Sequence, residues 1–155
     1  MQPHRLAPTD DFAPLLRLIQ TEFAYMEDRI DPPSSMHNLT TANLAGQAET
    51  AEVWAIGTPA IACMVLTPKV GCLYLGKLAV SATHRGKGLA RLMVDLACER
   101  AAALGLPAVE LQTRVELVEN QATFRALGFA ETARTAHFGY SRPTSITFRK
   151  GVLLP

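Results

Sequence analysis

The sequence predicts a single α/β domain, and three observations carry that prediction. Apolar residues recur every three to four positions over residues 12–26 and again over 89–104, as amphipathic helices require. Between and beyond these segments lie short apolar runs bounded by glycine and proline, the pattern of strands. The run 72–80, the helix after it and the run 108–114 form a strand–helix–strand crossover. Such a unit implies a parallel strand pair with a right-handed connection inside a mixed sheet. At 155 residues, with no internal repeat, linker or low-complexity stretch, residues 1–155 make one domain.

The elements follow in order. A short strand at 4–7 opens the fold. The first helix carries Phe12, Leu15, Leu16, Ile19, Phe23 and Met26 on one stripe, with Asp11 as N-cap and Pro14 in the first turn, where its missing N–H is no loss. It ends at 28–30, because Pro32-Pro33 cannot continue it. Ser34 or Ser35 caps a second helix through Leu39 and Leu44, with Gly46 near its end. Residues 53–56, the Gly57-Thr58-Pro59 turn and residues 60–66 read as a β-hairpin, which Pro68 ends. Residues 72–80 form a long strand interrupted by Gly76-Lys77, the mark of a bulge or a close backbone approach. The helix at 88–104 stops at Gly105 and Pro107. Leu89, Leu92, Met93, Leu96 and Leu104 form its apolar face, with the stem of Arg100 buried among them and its head reaching out. A strand at 108–114, a helix at 118–127 closed by Gly128, and strands at 130–137 and 145–149 complete the chain.

Composition narrows the function. Hydrophobic residues at 48% and charged residues at 19% describe an ordinary globular domain rather than a disordered chain. A formal net charge of +1 supplies no field to draw the protein to nucleic acid or to a membrane surface. No apolar run has bilayer length and no signal-peptide core follows the N-terminus, so a cytoplasmic protein is expected. Three cysteines without a Cys-x-x-Cys, and histidines without ligand spacing, indicate neither disulfides nor a metal site. Cys63 and Cys72 read as packed thiols, and Cys98, on the weakly polar side of a helix, as the one to watch for reactivity.

The informative segment runs from Leu78 to Ala90. A strand ends, a loop carries Arg85, Gly86, Lys87 and Gly88, and a helix begins at once. The glycines let backbone approach a ligand, and the first helical N–H groups, unpaired and at the positive end of the dipole, suit a pyrophosphate. The segment is neither a nucleotide P-loop, since no Ser or Thr follows Gly86-Lys87, nor a dinucleotide fingerprint, since the third glycine is missing.

Arg85-x-x-Gly88-x-Ala90, preceded by the strand Gly76-Lys77-Leu78-Ala79-Val80, resembles the acetyl-CoA signature of the GNAT superfamily of N-acetyltransferases. The run Ala122-Thr123-Phe124-Arg125-Ala126-Leu127-Gly128-Phe129 is similar to that family's second motif. The resemblance implies a mixed, mostly antiparallel sheet with a central parallel pair that splays apart, flanked by about four helices. It implies acetyl-CoA as co-substrate, with Leu78, Ala79 and Val80 presenting main-chain groups to the pantetheine arm. Arg85, Gly86, Lys87, Gly88, Leu89 and Ala90 would wrap the pyrophosphate, and Asn120 and Phe124 would face the far end of the arm. It further implies transfer of an acetyl group to a primary amine of a small molecule or a peptide, and pairing of two copies through sheet edges as a homodimer.

One departure bears on chemistry. The tyrosine that many members use to protonate the departing thiolate is here Phe124, which has no proton to give. Another group serves as acid, or the thiolate leaves with solvent help, or the chain is an acyl-CoA-binding sensor with little turnover; some other phosphorylated ligand in the glycine turn is a further reading. Glu110, on an apolar strand, and Glu22, at the edge of the first helix's stripe near Tyr25, are the carboxylates considered as base, and Tyr140 is the substitute acid. Segment 29–35, stiffened by Pro32-Pro33, is expected to shape the acceptor side, and His37, His84 and His137 are assigned no role.

Overall fold

A computed structural model describes residues 2–154. Seven strands form one sheet: β1 (Pro3–Arg5), β2 (Glu52–Ile56), β3 (Ala62–Lys69), β4 (Cys72–Val80), β5 (Ala108–Arg114), β6 (Ala130–Thr135) and β7 (Ser145–Gly151), in the order β1-β2-β3-β4-β5-β7-β6. Every neighbouring pair is antiparallel except β4–β5, which is parallel and joined through helix α3 (Leu89–Ala103). Helices α1 (Ala13–Phe23) and α2 (Thr41–Thr50) cover one face, while α3 packs on the other, with α4 (Val118–Ala126) following β5.

The strand period of two sorts the core. Val53, Ala55, Cys63 and Val65 turn toward Leu15, Ile19, Leu44 and Ala48 of α1 and α2. Ile56, Met64, Leu66, Leu73 and Leu75 turn toward Met93, Val94, Ala97 and Ala101 of α3. The apolar face of α3 is therefore rotated from the expected one: Leu92 and Leu104 are exposed, and the two alanines let the helix lie close to the sheet. The Arg100 head, although its side chain is 30% exposed, turns to a carboxylate rather than to open solvent. Its guanidinium donates two 2.8 Å hydrogen bonds to Glu52, a carboxylate only 5% exposed that also accepts from Trp54 Nε1. Burial alone would raise the pKa of Glu52, but these donors outweigh it and hold the carboxyl below its ordinary range.

Five local expectations are corrected. Asp11 accepts from Ala13 N–H at 3.0 Å, yet Phe12 occupies the N-cap position, and α1 tightens after Phe23 into a 3-10 turn, Ala24–Met26. That turn carries Met26 against Ile30 and Leu117. The second helix is two elements: Ser34 Oγ caps only a 3-10 turn at Ser35–Asn38, and α2 starts afresh where Thr40 and Asn43 form a reciprocal capping box. Pro68 lies inside β3, beyond the end of β2, where the strand is paired on one side only and proline is tolerated. Cys98 is half-buried, and burial pushes its thiol above the usual value rather than activating it; full burial takes Cys63 up to about 12.

The feature that positions the site is the parting of β4 from β5. Their pairing is confined to Leu73–Val109 and Tyr74–Glu110, although both strands run on. The opposite edge of β4 is bulged as well, since Cys63 faces Ala79 while Val65 faces Gly76, leaving Lys77 and Leu78 against Met64. Lys77 takes φ +52, the sole positive φ of a non-glycine among the described residues. Backbone strain of this kind, about 1–2 kcal/mol, persists only where the surroundings impose it.

Candidate active site

Two cavities open where β4 and β5 part. The larger, about 810 Å³, lies between α3 and α4 and follows the end of β4. Ten of the eleven residues expected at the cofactor line it: Leu78, Ala79, Val80, Arg85, Gly86, Gly88, Leu89, Ala90, Asn120 and Phe124. Lys87 does not; its side chain is exposed outside the cleft, because the turn aims Gly86 and Gly88 inward and residue 87 away.

The turn fits a pyrophosphate on its own geometry. Gly86 and Gly88 take φ +77 and +78, and a Cβ built on either would meet nothing within 4 Å. The glycines thus serve conformation and open space rather than packing. Gly88 is the N-cap of α3 and offers no side chain to its first amides; the first N–H of the helix paired back to it is Leu92, accepted by Gly88 O at 3.0 Å. The amides before it point at an open cleft at the positive end of a fifteen-residue helix.

Glu22 reaches this cleft from α1. One carboxylate oxygen accepts from Ala82 N–H at 3.1 Å and the other from Arg85 Nη2 at 2.6 Å, with the Glu22 side chain 11% exposed. Both oxygens are committed to the turn. Farther along, Tyr25 and Asn120 exchange hydrogen bonds and Arg29 pairs with Glu119, tying the 3-10 turn to α4 across the mouth. Buried Gln121 donates to the carbonyls of Arg114 and Val115, which fixes α4 against the end of β5.

The second cavity, about 300 Å³, lies on the α1–α2 side of the sheet. Its lining gathers side chains from seven places: Phe23 and Met26, Ser34 and Ser35, Tyr74 and Lys77 on β4, Gln112 and Arg114 on β5, Phe124 on α4, His137 before β7, and Ser145. The segment 29–35 does border it. Arg114 donates to the carbonyls of Pro32 at 2.6 Å and Pro33 at 3.3 Å, and burial pulls its pKa down. The His137 ring is set by two contacts to Thr144: its main-chain N–H donates to Oγ1 at 2.9 Å, and Nδ1 also meets Oγ1. Thr144 Oγ1 donates onward to Thr135 O, so we assign the ring proton to Nδ1 and the free lone pair to Nε2. Burial, and then the charge of Arg114, lower the His137 pKa below its ordinary 6.5, which leaves a neutral imidazole at pH 7.

The structure does not bring Glu110 or Tyr140 into either cavity. Glu110 shares a sheet face with Gln112 and Arg114, but it lies where β4 and β5 are still paired and is held by Arg149 Nη1. Tyr140, beside Arg142, donates to Asp31 Oδ1 at 2.6 Å, and that hydrogen bond makes its proton harder to lose. The sequence reading did not assign Arg114, Lys77 or His137 to a site, and all three line the second cavity. The signal for Arg114 was readable: polar residues at alternate positions on the carboxyl end of a parallel strand mark a crevice. His137 carried none, since its loop returns to the site only in three dimensions.

Phe23, Leu78, Asn120 and Phe124 line both cavities, so the two meet at this wall. Phe124 is also packed against Phe129 and Phe148, with ring centroids 6.2 and 6.1 Å away.

Comparison with known proteins agrees with this geometry. The fold matches a GNAT family acetyltransferase from Elizabethkingia anophelis, solved with acetyl-CoA bound, at TM-score 0.71 and 13% identity, over 97% of each chain. It matches a GNAT family acetyltransferase from Listeria monocytogenes at TM-score 0.72 and 14% identity, over 97% of this chain and 94% of that one. An IAA acetyltransferase from Bacillus cereus matches at TM-score 0.68 and 16% identity, over 97% and 99%. No curated protein matches the chain. The model of the acetyltransferase (GNAT) family matches residues 12–129, from α1 through the Leu127-Gly128-Phe129 turn. The chain therefore belongs to the GNAT acetyltransferase family and is an acyltransferase.

Proposed function

We propose that the protein transfers an acetyl group from acetyl-CoA to a primary amine of a small molecule or peptide by direct attack. The observation that carries this reading is the shared wall at Leu78 and Phe124, where a cofactor-shaped cleft and a smaller side-chain-lined cavity meet. A thioester reaching Leu78 from one side faces an amine arriving from the other, the proximity that makes attack effectively unimolecular.

The main chain of Leu78, Ala79 and Val80 receives the pantetheine arm, and Arg85 with residues 86–90 holds the pyrophosphate. Glu22 positions Arg85 and the turn rather than taking a proton. The amine nitrogen forms a bond to the thioester carbonyl carbon as the carbon–sulfur bond breaks. Main-chain N–H groups at the Lys77–Leu78 bulge stabilise negative charge on the carbonyl oxygen. His137 accepts the amine proton at Nε2 and passes it to solvent. Phe124 donates nothing, so the thiolate takes its proton from water; a thiol pKa of ~8.5 makes it a tolerable leaving group near neutrality. Glu110 and Tyr140, engaged by Arg149 and Asp31, hold structure around the site.

Phe124 also favours a second reading, an acyl-CoA-binding sensor with little turnover. One experiment separates the two: thermal shift with acetyl-CoA and CoA, recorded together with free-thiol release on an amine panel. Stabilisation with thiol release supports the enzyme, and stabilisation without release on any amine supports the sensor. No stabilisation by either CoA compound overturns both.

A further inference from the structure

The acceptor-side cavity has a charge character that its proposed reaction does not require. Of the eighteen residues lining it, none is Asp or Glu, while Lys77 and Arg114 are cationic. Among the described residues no carboxylate lies within ion-pair distance of either; the seven ion pairs of the molecule use other cations. The Arg114 guanidinium donates only to two proline carbonyls, which carry no formal charge. The acids nearest to it, Glu116 and Asp31, act on it only through space: Glu116 accepts from Asp31 N–H through one oxygen while its other, buried oxygen has no partner, and Asp31 is engaged by Tyr140 and Arg142. The Lys77 side chain makes no hydrogen bond, although it is half-buried on a strained backbone at the junction with an open cavity of about 430 Å³ over α2. Half-buried cations without a carboxylate in direct contact are disfavoured unless something supplies one. A volume near 300 Å³ is at the small end of ligand sites.

Taking the acetyl-transfer reading as its basis, we propose that the acceptor is a small amino acid: an amine whose carboxylate is held by Arg114 and Lys77, with its nitrogen directed to the Leu78 wall. Arg114 on β5 and Lys77 on β4 stand on the two strands that part, so an acid group between them is clasped from both sides. The same charges repel diamines and other cationic acceptors. Serine hydroxyls at 34, 35 and 145, with the Gln112 amide, supply neutral hydrogen bonds for the remainder of the molecule.

The test uses the full chain and three matched panels: amino acids (glycine, β-alanine, L-alanine, L-glutamate), their amides, and diamines such as putrescine. A sulfonate and a phosphonate analogue, taurine and 2-aminoethylphosphonate, distinguish a carboxylate site from a general anion site. Binding is read by thermal shift with CoA present, and transfer by thiol release from acetyl-CoA. At least one amino acid should bind and react at least ~10-fold better than its amide, the scale of one charge-assisted hydrogen bond. Lys77→Met should bring that ratio toward one, and Arg114→Gln should do so more strongly. Because Arg114 also holds the Pro32-Pro33 segment, the Lys77 variant decides if the Arg114 variant fails to fold. Amides or diamines used as well as the acids, or no acid binding in the presence of CoA, overturn the inference while CoA stabilisation keeps the acetyl-transfer reading. Taurine or the phosphonate outdoing every carboxylate overturns the amino-acid assignment. Absence of any CoA effect overturns the acetyl-transfer reading, and the inference with it.

Discussion

The two cavities that meet at Leu78 are built by different means. The cleft proposed for the cofactor takes nine of its nineteen lining residues from one contiguous stretch, Leu78 to Ala90, which offers backbone: two left-handed glycines, uncapped helix amides and a strand end. The cavity proposed for the acceptor gathers single side chains from α1 and its 3-10 turn, β4, β5, β7, α4 and the segments around residues 34 and 137, and offers charge and hydrogen bonding. Backbone sites tolerate change in side chains but not in φ or in charge at close range. Side-chain sites lose function one group at a time.

The largest effect should come from Gly88→Glu. It adds a carboxylate against the pyrophosphate position and forces a Cβ into φ +78. CoA affinity should fall by at least ~100-fold, since strain of about 1–2 kcal/mol adds to charge repulsion. Gly88→Ala separates the two causes, because the space there is open and only the strain remains. Equilibrium binding of CoA to both variants measures this, and an unchanged affinity for the glutamate variant would mean that the pyrophosphate lies elsewhere.

His137→Gln comes next. Loss of a general base should lower kcat/KM by ~100-fold or more with CoA affinity kept. The wild-type profile should fall as pH drops through a value below 6.5, because protonated imidazole cannot accept the amine proton and its folded pKa is depressed. That acid limb should vanish in the variant. A profile identical in both proteins would assign the base elsewhere.

Phe124→Tyr tests the wall itself. A hydroxyl there would give the thiolate a proton, and kcat should rise up to ~10-fold if thiol departure limits turnover, a modest gain because the thiol is already a fair leaving group. Single-turnover rates for the two proteins measure it. Glu110→Gln should do least. It removes an ion pair outside both cavities with Arg149 partly exposed, costing within about 1 kcal/mol of stability and leaving acetyl transfer near its original rate. A fall of 100-fold would return Glu110 to the mechanism.

Much of the fold was legible because local chemistry and tertiary structure agree. The spans of β4 and β5, the glycine stop after α4 and the start of α3 at Gly88 were all read within a residue or so. The misreadings occurred where a tertiary contact outranked a local pattern. Leu92 and Leu104 fit a helical stripe, yet the sheet accepts the alanine face instead. Arg100 looked like a snorkelling cation until Glu52, forty-eight residues away in sequence, came beside it.

The same division holds for the site. Sequence alone pointed to the cleft proposed for the cofactor, because a glycine turn followed by a helix N-terminus is a local object whose geometry depends on neighbouring residues. Only the tertiary structure revealed the cavity proposed for the acceptor. Lys77, Arg114 and His137 lie far apart along the chain, and only Arg114, with Gln112 two residues before it, carried a local signal of a crevice. They converge because β4 and β5 stop pairing after Tyr74 and Glu110, and the gap that opens is a property of the sheet rather than of any segment within it.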